Sequence, residues 1–182
     1  MFLSSTDYFL WYKTFFLISD YEVNIAVIGD RNVGKSNLCE SYTCTSYDNL
    51  PATIEPTTKP QSYEKIDERY HEPNYTKIKI NLFDTPGDES NESFEENTAD
   101  VYKKADAIII CYDITNKESF DHIENKWSEQ INKYNPECLL LIVGTKLDLE
   151  KDRKVSRETV LKYVDSKNAL YEELDLANTD LQ

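Results

Sequence analysis

The sequence predicts an α/β domain with a central, mostly parallel sheet, helices on both faces and one antiparallel edge strand. Three observations predict it. Residues 107–112 (AIIICY) and 139–143 (LLLIV) are continuous apolar runs, the composition of strands covered on both faces. Between them Phe120, Ile123, Trp127, Ile131 and Tyr134 recur at three- and four-residue intervals, the stripe of an amphipathic helix. A β-branched run at residues 22–28 ends in a glycine and leads into a helical segment from Lys35. Strands that alternate with helices build a parallel sheet.

The elements follow in chain order. Residues 1–20 stand apart as an aromatic, apolar extension with Asp7, Lys13 and Asp20 as its charges. Its apolar stretch is too short to span a bilayer, and it lacks the basic leading region and small-residue cleavage site of a signal peptide. The regular pattern starts at Tyr21, so the domain is expected over 21–182. Residues 76–83 alternate, with Ile78, Ile80 and Leu82 on one face and Lys77, Lys79 and Asn81 on the other, a half-buried strand. Residues 63–75 are expected to extend the hairpin that leads into it. Residues 156–166 form a last helix with Val160, Leu161 and Val164 inward.

Composition excludes several classes. The 182 residues are 40% hydrophobic and 30% charged, and the net charge is −14. So acidic a chain is a poor partner for nucleic acid, whose phosphates demand Lys and Arg. A docking face on a protein partner is expected to be basic. The four cysteines (Cys39, Cys44, Cys111 and Cys138) form no C-x-x-C pair and indicate a reducing, intracellular compartment.

Glycine is scarce. The chain has only four, Gly29, Gly34, Gly87 and Gly144, about 2% against a usual 7% or so. Two lie in Gly29-Asp30-Arg31-Asn32-Val33-Gly34-Lys35-Ser36, which fits G-x-x-x-x-G-K-[ST] between a strand and a helix. Such a loop turns backbone N–H groups inward to cradle phosphates, and the helix N-terminus favours their charge. Lys35 would reach the β- and γ-phosphates, and Ser36 would give its hydroxyl to Mg²⁺. Asn37 follows at the helix start. Alone, the motif specifies a nucleoside triphosphate and suits ATPases and kinases as well.

Two further motifs narrow the ligand. Asp84-Thr85-Pro86-Gly87 ends the alternating strand. A carboxylate there can hold Mg²⁺, and the Gly87 N–H can approach the γ-phosphate. Thr145-Lys146-Leu147-Asp148 follows residues 139–143. Asp148 can accept from the N1 and N2 hydrogens of guanine, which adenine lacks, while the Lys146 stem covers the base.

On these three motifs, in order and on the right elements, the sequence resembles the small GTPases of the Ras superfamily over about residues 21–165. Tyr112-Asp113-Ile114-Thr115-Asn116-Lys117-Glu118-Ser119-Phe120 is similar to a Rab signature, and Thr145 is more like Rho proteins. The resemblance implies the three-layer sandwich of P-loop NTPases. It implies a switch that binds GTP or GDP with Mg²⁺, hydrolyses GTP, and meets effector and regulatory proteins in vesicle transport or signal transduction. It places Thr53, in Ala52-Thr53-Ile54-Glu55, on Mg²⁺ and the γ-phosphate, with Thr57 as the competing candidate. Leu176 and Ala177 fall in a weak echo of the family's guanine loop.

The departures bear on catalysis. Asp88 stands where the resemblance puts a water-positioning glutamine; it is shorter, and charged beside the most negative part of the substrate. Arg31 occupies a position that is usually small, where it would obstruct an arginine finger, a contribution of about 10³–10⁵ in rate. Slow hydrolysis is therefore expected, with Asp88, Arg31 and Lys35 as the catalytic candidates. Arg31 paired with Asp88, or acting as its own finger, is the minor alternative. The rival reading is a non-hydrolysing nucleotide-binding module that acts as an interaction partner. An ATP-dependent kinase is disfavoured by Asp148. The segment after Gly87 is acidic, from Asp88 to Asp100. The chain stops at Gln182, so the family's final helix is expected to be missing and no terminal cysteine offers a prenyl anchor. Residues 1–20 then have three readings: a cover for bared sheet, a peripheral membrane contact, or a disordered extension. The expected location is cytoplasmic or peripheral on endomembranes.

Overall fold

The computed structural model describes residues 17–44, 57–71, 74–87 and 94–176. Six strands form one sheet in the order β2-β3-β1-β4-β5-β6. They are β1 (Leu17–Gly29), β2 (Gln61–His71), β3 (Asn74–Asp84), β4 (Ala107–Asp113), β5 (Leu139–Thr145) and β6 (Leu170–Glu173). Every neighbouring pair is parallel except β2 with β3, so the antiparallel strand lies at one edge, as expected.

The helices are α1 (Lys35–Thr43), α2 (Phe94–Lys104), α3 (Lys117–His122), α4 (Ser128–Tyr134) and α5 (Arg157–Lys167). A π turn, Ile123–Trp127, joins α3 to α4, and a 3-10 segment, Leu147–Asp152, follows β5. Local chemistry sets the starts. Asn116 caps α3 by accepting from the Glu118 N–H, and Ser156 caps α5 by accepting from Thr159. The expected stripe over Phe120 to Tyr134 is helical throughout, but it is not one regular helix.

The strand alternation of the sheet divides the core in two. On one face Ile108, Ile110 and Tyr112 of β4 pack with Tyr102, Phe120, Ile123, Trp127, Ile131, Val160 and Val164. That face carries α2, α3, α4 and α5. On the other face Val27, Leu82, Cys111 and Val143 pack with Val33 and Cys39 at α1. Period-two alternation within AIIICY thus sends consecutive residues to opposite cores, which is why the run has no polar member.

The hairpin is longer than the expected strands. β2 and β3 pair over eleven positions, from Gln61↔Asp84 to His71↔Asn74. β1 starts at Leu17, four residues before the expected boundary, because β3 extends far enough to pair with it at Leu17↔Asn74. The last residues of the supposed N-terminal extension are therefore strand. Its first sixteen lie outside the described residues, and with them the three readings of that segment. Among the described residues no helix is long and apolar enough to cross a membrane.

Candidate functional site

All four glycines sit at one end of the sheet, where β1, β3, β4 and β5 finish. After β1 the backbone enters the left-handed region at Asn32 (φ 63°) and Gly34 (φ 93°). This alternation turns successive N–H groups to one side. Gly34 is also the N-cap of α1, and among the described residues no side chain caps that helix. Its first N–H groups remain available to an anion.

Lys35 lies buried beneath this loop, its Nζ donating to the Asp30 carbonyl at 2.7 Å. Burial lowers its ammonium pKa, and the negative charge of Asp84 opposes that. A buried cation with one carbonyl partner has spare donor capacity for phosphate oxygens.

Beside it three oxygen side chains meet. Ser36 Oγ donates to Asp84 Oδ2 at 2.6 Å, Thr57 Oγ1 donates to the same oxygen at 2.8 Å, and the two hydroxyls are 3.0 Å apart. Asp84 is fully buried, and among the described residues its other oxygen, Oδ1, has no hydrogen-bond partner. A buried, unpaired carboxylate oxygen is costly in water-free surroundings. A hard divalent cation relieves that cost, and hydroxyl and carboxylate oxygens are the donor set that Mg²⁺ accepts. These residues fit the expected ion.

The structure brings Thr57, the competing candidate, to this cluster. Thr53 lies outside the described residues, as do Asp88 and Ala177. Gly87 follows Asp84 closely and abuts the loop. A Cβ built on it would fall 2.4 Å from the Arg31 N and 2.5 Å from the Asp30 carbonyl carbon. Only glycine lets the two backbones meet there. Arg31 itself is exposed.

The base-side loop is tied to the phosphate loop by Thr145. Its buried hydroxyl lies 2.6 Å from the Val33 carbonyl and 2.9 Å from the Tyr112 carbonyl, and shares its one proton between them. Thr145 thus braces the end of β4 against the loop that precedes α1. Val33 likewise packs its side chain into the core. Asp148 is exposed, and Asn37 is exposed on the first turn of α1. Leu176 approaches Gly34, its Cδ1 3.6 Å from where a Cβ would be.

Two partners were not anticipated. Lys146 takes a left-handed backbone (φ 61°) and donates to Asp113 Oδ2 at 2.6 Å. Asp113 also accepts from the Thr115 N–H and hydroxyl. Burial would raise its carboxyl pKa, but these hydrogen bonds and the Lys146 charge outweigh it and hold it below the usual carboxylate range. The second is Glu173, at the end of β6. It receives both terminal nitrogens of Arg153 at 2.7 Å, Arg157 Nε at 2.8 Å, and the Tyr171 hydroxyl. Arg153 also pairs with Glu150 on the 3-10 segment. The next residue, Leu174, donates its N–H to the Gly144 carbonyl at 2.8 Å and accepts from the Leu147 N–H at 3.2 Å. The network therefore fixes the chain on both sides of the loop that follows β5. Asp113 lies within the Rab-like run and Glu173 at the head of the weak guanine-loop echo, and neither motif signals the partners found here.

The chain also matches known proteins. A model of the Ras family matches residues 24–180. The chain is 35% identical over 141 residues to the Ras-related protein RABC1 of Arabidopsis thaliana, over 76% of this chain and 61% of that protein. It is 35% identical over 142 residues to the Ras-related protein Rab-12 of Homo sapiens, over 77% of this chain and 53% of that protein. It is 36% identical over 163 residues to the Ras-related protein Rab-1 of Theileria parva, over 88% and 69% respectively. The chain thus spans about six-tenths of the length of RABC1 and about half that of Rab-12.

Proposed function

The chain belongs to the Ras family, and from that premise we propose that it is a guanine-nucleotide switch of the Rab kind, binding GTP and GDP with Mg²⁺ and hydrolysing GTP slowly. The observation that carries the reading is the Ser36–Thr57–Asp84 cluster with its unpaired buried oxygen, set beside the buried Lys35 and the uncapped start of α1.

The residues divide the work. The N–H groups from Asn32 to Ser36 and the Lys35 ammonium bind phosphate. Ser36, Thr57 and Asp84 hold the ion, which when bound supplies positive charge to the phosphate oxygens. Thr57 rather than Thr53 takes the role of the threonine that responds to the γ-phosphate, with Gly87 as its counterpart beyond β3. Asp148 reads guanine, Lys146 covers it, and Leu176 closes the far side. The chemistry is attack of water on the γ-phosphate. Asp88 in the water-positioning place and Arg31 at the mouth of the loop support slow turnover and a weak response to an activating protein. The relatives' Rab names support a setting in membrane traffic.

The same two residues favour a second reading, a nucleotide-binding module without turnover. Nucleotide content of the purified protein, followed by single-turnover GTP hydrolysis on the same sample, separates them. Bound guanine nucleotide with slow hydrolysis that rises in Asp88→Gln supports the switch. Bound nucleotide without hydrolysis in either form supports the module. Absence of guanine nucleotide, or equal competition by ATP, removes both.

A further inference from the structure

The second residue of the phosphate loop is gripped from the other side of the molecule. Asp30 Oδ2 lies 2.6 Å from His122 Nδ1, and Asp30 Oδ1 accepts from Trp127 Nε1 at 3.0 Å. His122 is the last residue of α3 and Trp127 the last of the π turn. They are five positions apart. In a regular α-helix, five positions overshoot a full revolution by about 140°, and the two side chains could not share one carboxylate. The π turn closes i→i+5, with the Ser128 N–H donating to the Ile123 carbonyl, and brings such a pair back to one face. The Ser128 hydroxyl also donates to the Ile123 carbonyl and meets Tyr163 of α5, which holds the turn in place.

Asp30 passes this grip on. Its carbonyl oxygen accepts from Lys35, and its carbonyl carbon is one of the atoms against which Gly87 packs. Moving Asp30 therefore moves the partner of the phosphate-binding lysine and the backbone that Gly87 touches. His122 is half-buried and sits between two carboxylates: Asp30 at Nδ1, and Glu118 of its own helix, whose Oε1 is 3.9 Å from Nε2. Among the described residues these are the ionisable groups that face its ring; Lys126 of the π turn lies over the Trp127 ring instead. A neutral imidazole donates one N–H to Asp30. An imidazolium keeps that bond as a charge-assisted one and faces Glu118 as well.

We propose that His122 and Trp127 form a two-point clamp on Asp30, and that the charge on His122 sets how tightly the phosphate loop is held and so how long nucleotide stays bound. His122 is a positioning residue here, acting through Asp30. The inference rests on the nucleotide-binding reading above for its consequence, and on the Asp30 contacts for its geometry.

The test is release of a fluorescent GDP analogue from the full chain with Mg²⁺, between pH 5.5 and 8. Wild type releases more slowly at the acidic end, by about fivefold, as a hydrogen bond gains a charged partner. His122→Asn retains a donor to Asp30, stays near the faster, neutral-pH rate of wild type and loses the pH dependence. His122→Ala releases faster, by about fivefold to tenfold, at every pH. A wild-type pH profile in His122→Asn, or a wild-type rate in His122→Ala, overturns the proposal. If the wild type binds no guanine nucleotide, the functional reading fails but the clamp is still tested. In a Trp11→Phe background, the Trp127 emission shifts with pH when His122 is present and is flat in His122→Asn. A shift that persists without His122 rejects the clamp.

Discussion

Glu173→Gln removes the centre of the network that anchors the loop after β5, and its cost follows from the geometry. The Glu173 side chain is 6% exposed and that of Arg153 is 14% exposed. Burial alone would raise the carboxyl, but hydrogen bonds from Arg153, Tyr171 and Arg157 overcome it and hold the pKa at about 2, against an ordinary 4.5. Such a displacement carries roughly 3 kcal/mol of pairing energy. The amide keeps part of the hydrogen bonding, and Arg153 keeps Glu150, so the expected loss is about 2 kcal/mol after allowance for solvent at the outer edge of the network. For a chain of this size that lowers the melting temperature by about 4–8 °C at pH 7. The sign of the pH dependence is fixed. The folded pKa is depressed, so the stabilisation is complete above about pH 4.5 and is lost as pH falls toward 2. At pH 3 the gap between wild type and variant should shrink to less than half. Thermal melting of both proteins at the two pH values is the assay. A variant that melts within 1 °C of wild type at pH 7 on the order-of-magnitude scale above, or a gap that survives acid, refutes the reasoning.

Four other outcomes follow from the site. Thr57→Ala should weaken Mg²⁺-dependent retention of GTP more than GDP, by about tenfold, while Thr53→Ala has the smaller effect; nucleotide exchange with and without chelator measures both. Gly87→Ala should leave GDP binding in place but abolish the GTP-dependent change in protease sensitivity, because the new Cβ would fall 2.4 Å from the Arg31 N. Asp113→Asn should speed GDP release by about tenfold by freeing Lys146, with little change in melting, read by the same exchange assay. Burial pushes the Cys111 thiol up to about 12 and raises Cys39 further, so native alkylation should reach Cys44 and Cys138 first and the buried pair only on unfolding, as peptide mass spectrometry would show.

Much of the fold was legible because its signals are local. A β-branched run followed by glycine and lysine at fixed spacing defines strand, loop and helix together. The double-sided strands β4 and β5 announce themselves by lacking polar residues. Asp84 closes β3 where the alternation of residues 76–83 ends, a boundary that is itself a local signal. The rest depended on partners distant in sequence. The contacts of Thr57 with Ser36 and Asp84 join residues 21 and 27 positions apart, which no local signal reports. The π turn was invisible because Ile123 and Trp127 keep the four-residue spacing of an ordinary helical stripe. Leu17 to Asp20 read as the tail of an apolar segment because their strand identity comes from β3, more than fifty residues later. Asp113 and Lys146 are 33 positions apart, and no motif links them.

The long hairpin has a consequence for the dynamics of the sheet. β4 pairs with β1 only from Ile25 onward, whereas β3 follows β1 back to Leu17. Residues 17–24 of β1, with the matching parts of β2 and β3, therefore project about 26 Å beyond the ladder shared with β4. One face of this projection carries Glu22, Lys79 and Glu64 in a cross-strand charge row, and Lys77 with Glu68 beyond it. Exposed pairs of this kind hold strands in register but add little free energy. Amide protons should then exchange along a gradient, fastest at the hairpin tip and slowest where β1 and β3 enter the core at Ala26 and Leu82. Opening of the ribbon from its far end need not loosen Asp84, which lies at the opposite end of β3.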